Sequence, residues 1–138
     1  MKIIVCLEDK KGMMFNKRRL SKDRILIEEI GQTLEMQTIW MNAYSYKLFE
    51  SLNWQNIKVD EDFLQNADAK DACFVENQKL VDYKEKIDEL IIYWWNRRYP
   101  ADFYFDLDLN DFDKMNETEF EGSSHEKITK QIYVRRTK

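Results

Sequence analysis

The residues best suited to catalysis lie together near the C-terminus. His125 is the only histidine in the chain, and it follows Ser123 and Ser124 in a segment with the composition of a turn. A serine hydroxyl beside an imidazole supplies a nucleophile and a base, but a hydrolase triad also needs a carboxylate that orients the base. The sequence identifies no such carboxylate, and a single histidine in a turn is more typical of a surface residue. We therefore predict no catalytic residues.

Metal and redox chemistry are disfavoured by the residue counts. Besides His125, the soft ligands are Cys6 and Cys73, which are far apart in sequence, and no H-x-H, H-E-x-x-H or C-x-x-C pattern is present. Both cysteines lie in short apolar runs that are typical of buried strands. We expect two reduced thiols, no metal site and a cytoplasmic location.

The basic residues are concentrated at the start of the chain, although the net charge is −4. Over residues 1–24, basic side chains outnumber acidic ones by eight to three, and a basic patch is predicted at Lys17, Arg18 and Arg19. Such a patch can contact phosphates, which would allow direct binding of nucleic acid. A short basic loop is more often only a solvated surface, so this alternative is the less favoured one.

The acidic residues are concentrated in a later segment, residues 102–121, which has eight acidic side chains and one basic side chain. Aromatic residues or leucine alternate with the acids there. This pattern indicates either an edge strand guarded by charge or a surface that imitates nucleic acid for a basic protein partner. The partner-binding candidates are Asp102, Asp106, Asp108, Asp111 and Asp113, with Trp94 and Trp95, one of which could be an exposed interface anchor.

Hydrophobic patterns predict the strands and helices that position these residues. Apolar runs predict buried strands at residues 2–7, 72–75 and 90–95, and the last two form a parallel crossover unit with a short helix at 80–86. Ser21 is the predicted N-cap of a helix that extends to about Leu34, with Asp23 in its first turn. Further predictions are strands at 37–41 and 56–59, short helices after Asn42 and at 60–68, an edge strand within 103–120, and a last strand with Ile128, Ile132 and Val134 on one side.

The length and composition predict one α/β domain that spans residues 1–138. With 138 residues and 43% apolar content, the chain can bury a core of its own. No window approaches the roughly 18 uninterrupted apolar residues of a membrane span, so no membrane association is expected. The N-terminal apolar run is too short for a signal peptide, which again favours the cytoplasm.

Several segments resemble the dihydrofolate reductase family. Residues 101–112 resemble its A-D-x-F-F-P-x-I-D-L-x-x-F loop, with one residue fewer and Asp106 in place of the proline. Residues 39–41 and 49–52 resemble the two ends of its V-x-M-G-R-x-T-x-E-S-L motif, and residues 133–135 resemble the end of its last strand. The resemblance implies a reduced version of that fold, a mixed sheet with flanking helices and a C-terminal β-hairpin.

The residues that bind the dinucleotide cofactor in that family are missing here. Glu76-Asn77 occupies the place of a Gly-Gly pair that lets the backbone approach the phosphates, and a carboxylate repels phosphate. Asn42-Ala43 replaces a Gly-Arg pair. The resemblance therefore implies that no cofactor is bound. It also puts Asp23 where the family keeps the carboxylate that binds the pterin ring, although a carboxylate in the first turn of a helix is the more common role. The ligand-cleft candidates are Asp23, Trp40, Asn42, Ser45, Glu76 and Asn77.

Two functions follow from these observations. The preferred one is a non-catalytic acidic protein that occupies a basic surface of a nucleic-acid-handling protein. Inhibitors of CRISPR effector nucleases, carried by phages and other mobile elements, are an example of that class. The alternative is a small-molecule or nucleotide binder, or a residual enzyme, that uses a cleft around Asp23 and Trp40.

Overall fold

A mixed seven-stranded sheet forms the centre of the molecule in this computed structural model, which describes residues 1–136. The strands are β1 (Lys2–Leu7), β2 (Gly12–Phe15), β3 (Arg18–Arg19), β4 (Ile39–Met41), β5 (Ile57–Val59), β6 (Ala72–Phe74), β7 (Glu89–Trp94), β8 (Phe103–Tyr104), β9 (Phe112–Phe120) and β10 (Ile128–Arg135). The α-helices are α1 (Arg24–Thr33), α2 (Ala43–Tyr46) and α3 (Phe63–Asn66), and 3₁₀ helices lie at Glu50–Leu52, Val81–Lys86 and Leu109–Asp111. None of the helices within residues 1–136 has the length and apolar character needed to cross a membrane.

The order of strands in the large sheet is β5-β4-β6-β1-β7-β10-β9. Strands β6 and β7 are parallel to β1 and lie on either side of it, so the predicted crossover passes over the central strand. Strands β9 and β10 form an antiparallel hairpin at one edge. A small antiparallel sheet, β3-β2-β8, lies outside the large one. The mixed sheet and the C-terminal hairpin are thus confirmed.

Each face of the large sheet is covered by its own hydrophobic core. Side chains of a strand alternate between the two faces, so Ile3 and Val5 enter one core while Ile4 enters the other. The second core also receives Leu26, Ile30 and the rest of the apolar face of α1, as its helical spacing predicts. Both faces of β1 are therefore buried, which explains why the first strand reads as a continuous apolar run.

Helix α1 begins later than the sequence predicts. Its N-cap is Asp23, whose Oδ1 accepts hydrogen bonds from the backbone N–H groups of Ile25 and Leu26. The predicted cap, Ser21, instead places its hydroxyl against His125, more than 100 residues away in sequence. A tertiary contact thus removes the side chain that would otherwise have capped the helix.

The structure corrects one further prediction about the elements and refines two others. The segment 103–120 is not one strand, because the chain first pairs with β2 as β8 and then turns through a 3₁₀ helix before β9 begins. In that turn Asp108 accepts a hydrogen bond from the Asn110 N–H, which favours an irregular path over an extended one, while Asp106 accepts from the N–H groups of Leu80 and Val81 at the start of another 3₁₀ helix. Residues 81–86 form a 3₁₀ helix. Val134 lies on the same side of β10 as Ile132, as expected, but it is exposed near the end of the strand.

Candidate functional site

The imidazole of His125 is held between a carboxylate and two hydroxyl groups. Its Nδ1 lies 3.1 Å from Asp23 Oδ2, and its Nε2 lies 3.1 Å from Ser21 Oγ and 3.0 Å from the Tyr99 hydroxyl. Trp95 stacks on the ring with a centroid separation of 4.5 Å. His125 and Asp23 are buried, whereas Ser21 is partly exposed. We call Ser21, Asp23, Tyr99 and His125 the His125 site.

The Asp23 carboxylate is fixed by the loop that carries His125. It accepts hydrogen bonds from the backbone N–H of Ser123 at 2.9 Å and of Ser124 at 2.8 Å, in addition to its bonds within α1. Burial alone would raise the pKa of Asp23, but these N–H groups and the imidazole of His125 outweigh it and hold the pKa well below its usual range. Asp23 therefore carries a negative charge at neutral pH.

The charge on Asp23 determines how neutral His125 is protonated. A carboxylate only accepts hydrogen bonds, so Nδ1 of His125 must donate to it. Nε2 is then the acceptor, and the hydroxyls of Ser21 and Tyr99 can donate to it. This is the arrangement of hydroxyl, base and orienting carboxylate that activates a serine in hydrolases. The carboxylate that the sequence did not reveal is Asp23, and the hydroxyl is that of Ser21, not Ser123 or Ser124.

Four of the ligand-cleft candidates form a second polar cluster, closed by an ion pair. Arg19 donates to Glu76 twice, from Nε at 2.9 Å and from Nη2 at 3.1 Å, and Ser45 Oγ donates to Glu76 Oε1 at 2.8 Å. The amide of Asn42 donates to Asn77 Oδ1 at 2.9 Å. Arg19, predicted as part of the basic patch, belongs to this cluster instead. The polar groups that might have met a cofactor satisfy one another.

Little space remains between the His125 site and this second cluster. The enclosed cavity there, bordered by Cys6, Ser21, Glu76 and Trp95 among others, has a volume of about 20 Å³. That is room for about one water molecule and not for an aromatic ring. Trp40 does not reach Asp23 either, because its indole N–H donates to Asp71 and its ring packs on the opposite face of the sheet.

The acidic candidates are all exposed, but most have a partner within the chain. Asp102 accepts from the Asn16 N–H, Asp106 from the Leu80 N–H and Asp108 from the Asn110 N–H, while Asp113 pairs with Arg136 at 2.8 Å. For Asp111, the backbone carbonyl accepts from Arg136. Several carboxylates of this surface are thus already bonded to groups within the chain.

The two tryptophan candidates lie on opposite faces of β7 and its extension. Trp94 is half-buried and donates to Gln131 at 2.7 Å, whereas Trp95 is buried beneath His125. Lys17 and Arg18 are exposed at the tip of the β2–β3 hairpin. Among residues 1–136 no group of three His, Cys, Asp or Glu side chains could hold a metal ion, and both cysteines are free.

Ser21, Tyr99 and His125 are the residues that sequence reasoning left out of the candidate site. They come from three distant segments, and no local spacing connects them. One signal was available in the sequence. Ser21 and Asp23 are both good N-cap residues at the start of the same helix, so one of them was free for another contact.

Comparisons with known proteins bear on the fold. No protein-family model matches the sequence, and no curated protein matches it. Among solved structures, the chain is similar to dihydrofolate reductase from Enterococcus faecalis complexed with NADP(H) and RAB-propyl, with a TM-score of 0.71 and 10% sequence identity. The match covers 99% of this chain and 96% of that one. The fold implied by the sequence resemblance is therefore confirmed: this chain has a divergent dihydrofolate reductase-like fold.

Proposed function

We propose that this protein is a small hydrolase in which His125 activates the Ser21 hydroxyl. The observation that carries the proposal is the pair of 3.1 Å contacts that join Ser21, His125 and Asp23 in line. This hydrolase differs from the residual enzyme expected from the sequence, which would use a cleft around Asp23 and Trp40, and shares only Asp23 with it. The reduced state of Cys6 and Cys73 fits activity in the cytoplasm.

The reaction follows from the geometry. Ser21 Oγ attacks the carbonyl carbon of an ester while its proton passes to Nε2 of His125, and the Asp23 charge stabilises the imidazolium that forms. The departing alcohol takes this proton, which leaves an acyl group on Ser21. Water then attacks the acyl group, again with His125 as the base, and releases the acid. The Tyr99 hydroxyl, at the same nitrogen, can donate to the oxygen on which negative charge develops.

The burial of the site restricts the substrate. The cavity that Ser21 borders on its inner side has a volume of only about 20 Å³. The reacting group must therefore approach from the solvent side, where Ser21 is partly exposed. A small ester or an ester at the end of a chain meets this requirement.

A fluorophosphonate probe tests the proposal without knowledge of the substrate. Attack by Ser21 Oγ forms a phosphorus–oxygen bond and expels fluoride, which adds a fixed mass to Ser21. We expect labelling of the wild type at this residue, loss of labelling in Ser21→Ala, and at least tenfold slower labelling in His125→Asn. Thr118→Ala, which removes an exposed hydroxyl on strand β9, is the control and should label normally. Absence of labelling in the folded wild type, or the same rate in His125→Asn, would overturn the proposal.

A second candidate function is the acidic binding protein or inhibitor predicted from the sequence. The observation that favours it is strand β9, which lies at the edge of the large sheet with residues 113–119 exposed. Together with Asp106, Asp108 and Asp111 it presents an acidic surface to a protein partner with a basic face. An inhibitor that is carried by a mobile element and acts on a nuclease would fit this description.

Replacement of Asp106, Asp108, Asp111 and Asp113 by Asn tests the second candidate. Asn keeps an acceptor oxygen for the bonds to Leu80 and Asn110, so the fold should persist. Association with a partner isolated from the native host should slow at low salt, because exposed charges act mainly on the encounter rate. An unchanged association rate would exclude this surface as the binding site.

A further inference from the structure

Two neighbouring grooves on the small sheet combine aromatic and basic side chains. One, of about 490 Å³, is lined by Lys10, Arg98, Tyr99 and Tyr104, and the other, of about 570 Å³, by Arg18 and Arg19. Phe15 and Pro100 border both grooves and form the ridge between them. The side chain of Phe15 is 41% exposed and that of Tyr104 is 49% exposed. Packing in the hydrophobic core therefore does not account for these two aromatic side chains.

The charge around the ridge is positive. Within residues 1–136, no carboxylate lies at salt-bridge distance from Lys10, Arg18 or Arg98. Glu8 borders the first groove, but it is 1% exposed and its carboxylate accepts hydrogen bonds from the backbone N–H groups of Lys10 and Gly12. Asp102 lies beside the second groove, and its carboxylate accepts a hydrogen bond from the backbone N–H of Asn16. Lys10, Arg18 and Arg98 are exposed and are not paired with these two acids.

We propose that these two grooves bind single-stranded nucleic acid. Bases stack on Phe15 and Tyr104, and Lys10, Arg18 and Arg98 contact the phosphates on either side of the ridge. Aromatic platforms within a positively charged groove are the means by which proteins hold single strands without reading their sequence, because every base has a π-face. A duplex hides these faces, and a run of acidic side chains offers none. The inference goes beyond the hydrolase proposal and holds whether or not Ser21 is a nucleophile.

Fluorescence anisotropy with a short labelled oligothymidylate tests the inference. Phe15→Leu keeps apolar bulk but removes the π-face, so affinity should fall about 5- to 150-fold, whereas Phe15→Trp should bind like the wild type. Joint replacement of Lys10 and Arg98 by Gln should reduce the slope of log K against log salt by about 1.4, since each phosphate contact on a single strand contributes about 0.7. Joint replacement of Lys70 and Lys84 by Gln, two exposed lysines elsewhere, is the matched charge control and should leave the slope unchanged.

The outcomes separate this site from the other proposals. Phe15→Leu should react with the fluorophosphonate probe like the wild type, because Phe15 lies outside the His125 site, so failure of either proposal can be told from failure of the other. Three results would overturn the inference of nucleic-acid binding: no binding at low salt, equal affinity of wild type and Phe15→Leu, or equal competition by polyglutamate, duplex DNA or a mononucleotide. Circular dichroism of each variant confirms that the exposed substitutions leave the fold unchanged.

Discussion

Gly122 lies so close to Asp23 that a Cβ atom on the glycine would come within 2.3 Å of Asp23 Oδ2. The glycine therefore allows the loop of residues 122–125 to reach the start of α1. Through this contact the backbone N–H groups of Ser123 and Ser124 reach the carboxylate, and His125 is placed over the N-terminus of the helix.

Gly122→Ala should destabilise the protein, because the added methyl group must displace the loop from Asp23. We expect unfolding free energy to fall by about 1 to 3 kcal/mol, the usual effect of leaving a buried polar group without partners. Chemical denaturation measures the change, and fluorophosphonate labelling of Ser21 should slow in the same variant. Ser123→Ala, which keeps the backbone N–H, is the control with the smaller loss. Wild-type stability in Gly122→Ala would mean that the loop is not held by this contact.

Asp23 should make the stability of the protein depend on pH at the acidic end. Its pKa is lowered in the folded state, so its contribution is present above the unfolded value of about 3.9 and is lost as pH falls toward the folded value. The stability difference between wild type and Asp23→Asn should therefore shrink as pH is lowered from about 5 toward 2. Urea denaturation at several pH values measures this, and a constant difference would contradict the hydrogen-bonding account.

The protein should bind no nicotinamide dinucleotide and reduce no dihydrofolate. Glu76 presents a negative charge where phosphates would lie, and its ion pair with Arg19 occupies the adjoining space. Isothermal calorimetry with the reduced cofactor should give no heat above dilution. Micromolar binding would contradict this prediction.

The thiols of Cys6 and Cys73 should react slowly in the native protein. Burial raises the pKa of Cys73 to about 12, and burial, together with the charge of Glu76, also raises the pKa of Cys6. Little of the reactive thiolate therefore exists at neutral pH. Reaction with a disulfide reagent should be slow in buffer and fast in denaturant, and rapid reaction of both thiols under native conditions would contradict the packing around them.

Lys17→Gly should stabilise the β2–β3 hairpin. Asn16 and Lys17 have φ values of 50° and 62°, which are those of a two-residue turn that favours Asn-Gly. A lysine is strained in this conformation, so glycine should raise stability by up to about 1 kcal/mol, measured by chemical denaturation. Lys22→Gly, outside the turn, is the contrasting control and should bring no gain.

Much of the fold follows from local patterns. The apolar runs at β1 and β7 predict buried strands, because a strand covered on both faces has no polar alternation. The spacing of Leu26, Ile30 and Leu34 predicts the buried face of α1 for a similar reason. The exact start of α1 and the irregular path after Tyr104 escaped prediction, because local side chains bond to distant groups there: Ser21 to His125, and Asp106 to the Leu80 N–H.

The sequence by itself determined the strands, the helix faces and the division of charge between the two ends of the chain, since these depend on neighbouring residues. Only the tertiary structure decided the candidate site. Asp23 and His125 are separated by 102 positions, and Arg19 and Glu76 by 57, so no local spacing could pair them. Their contacts arise because α1, β6 and the loop before β10 meet at one end of the sheet. Polar groups that are buried there are stable only when they are hydrogen-bonded.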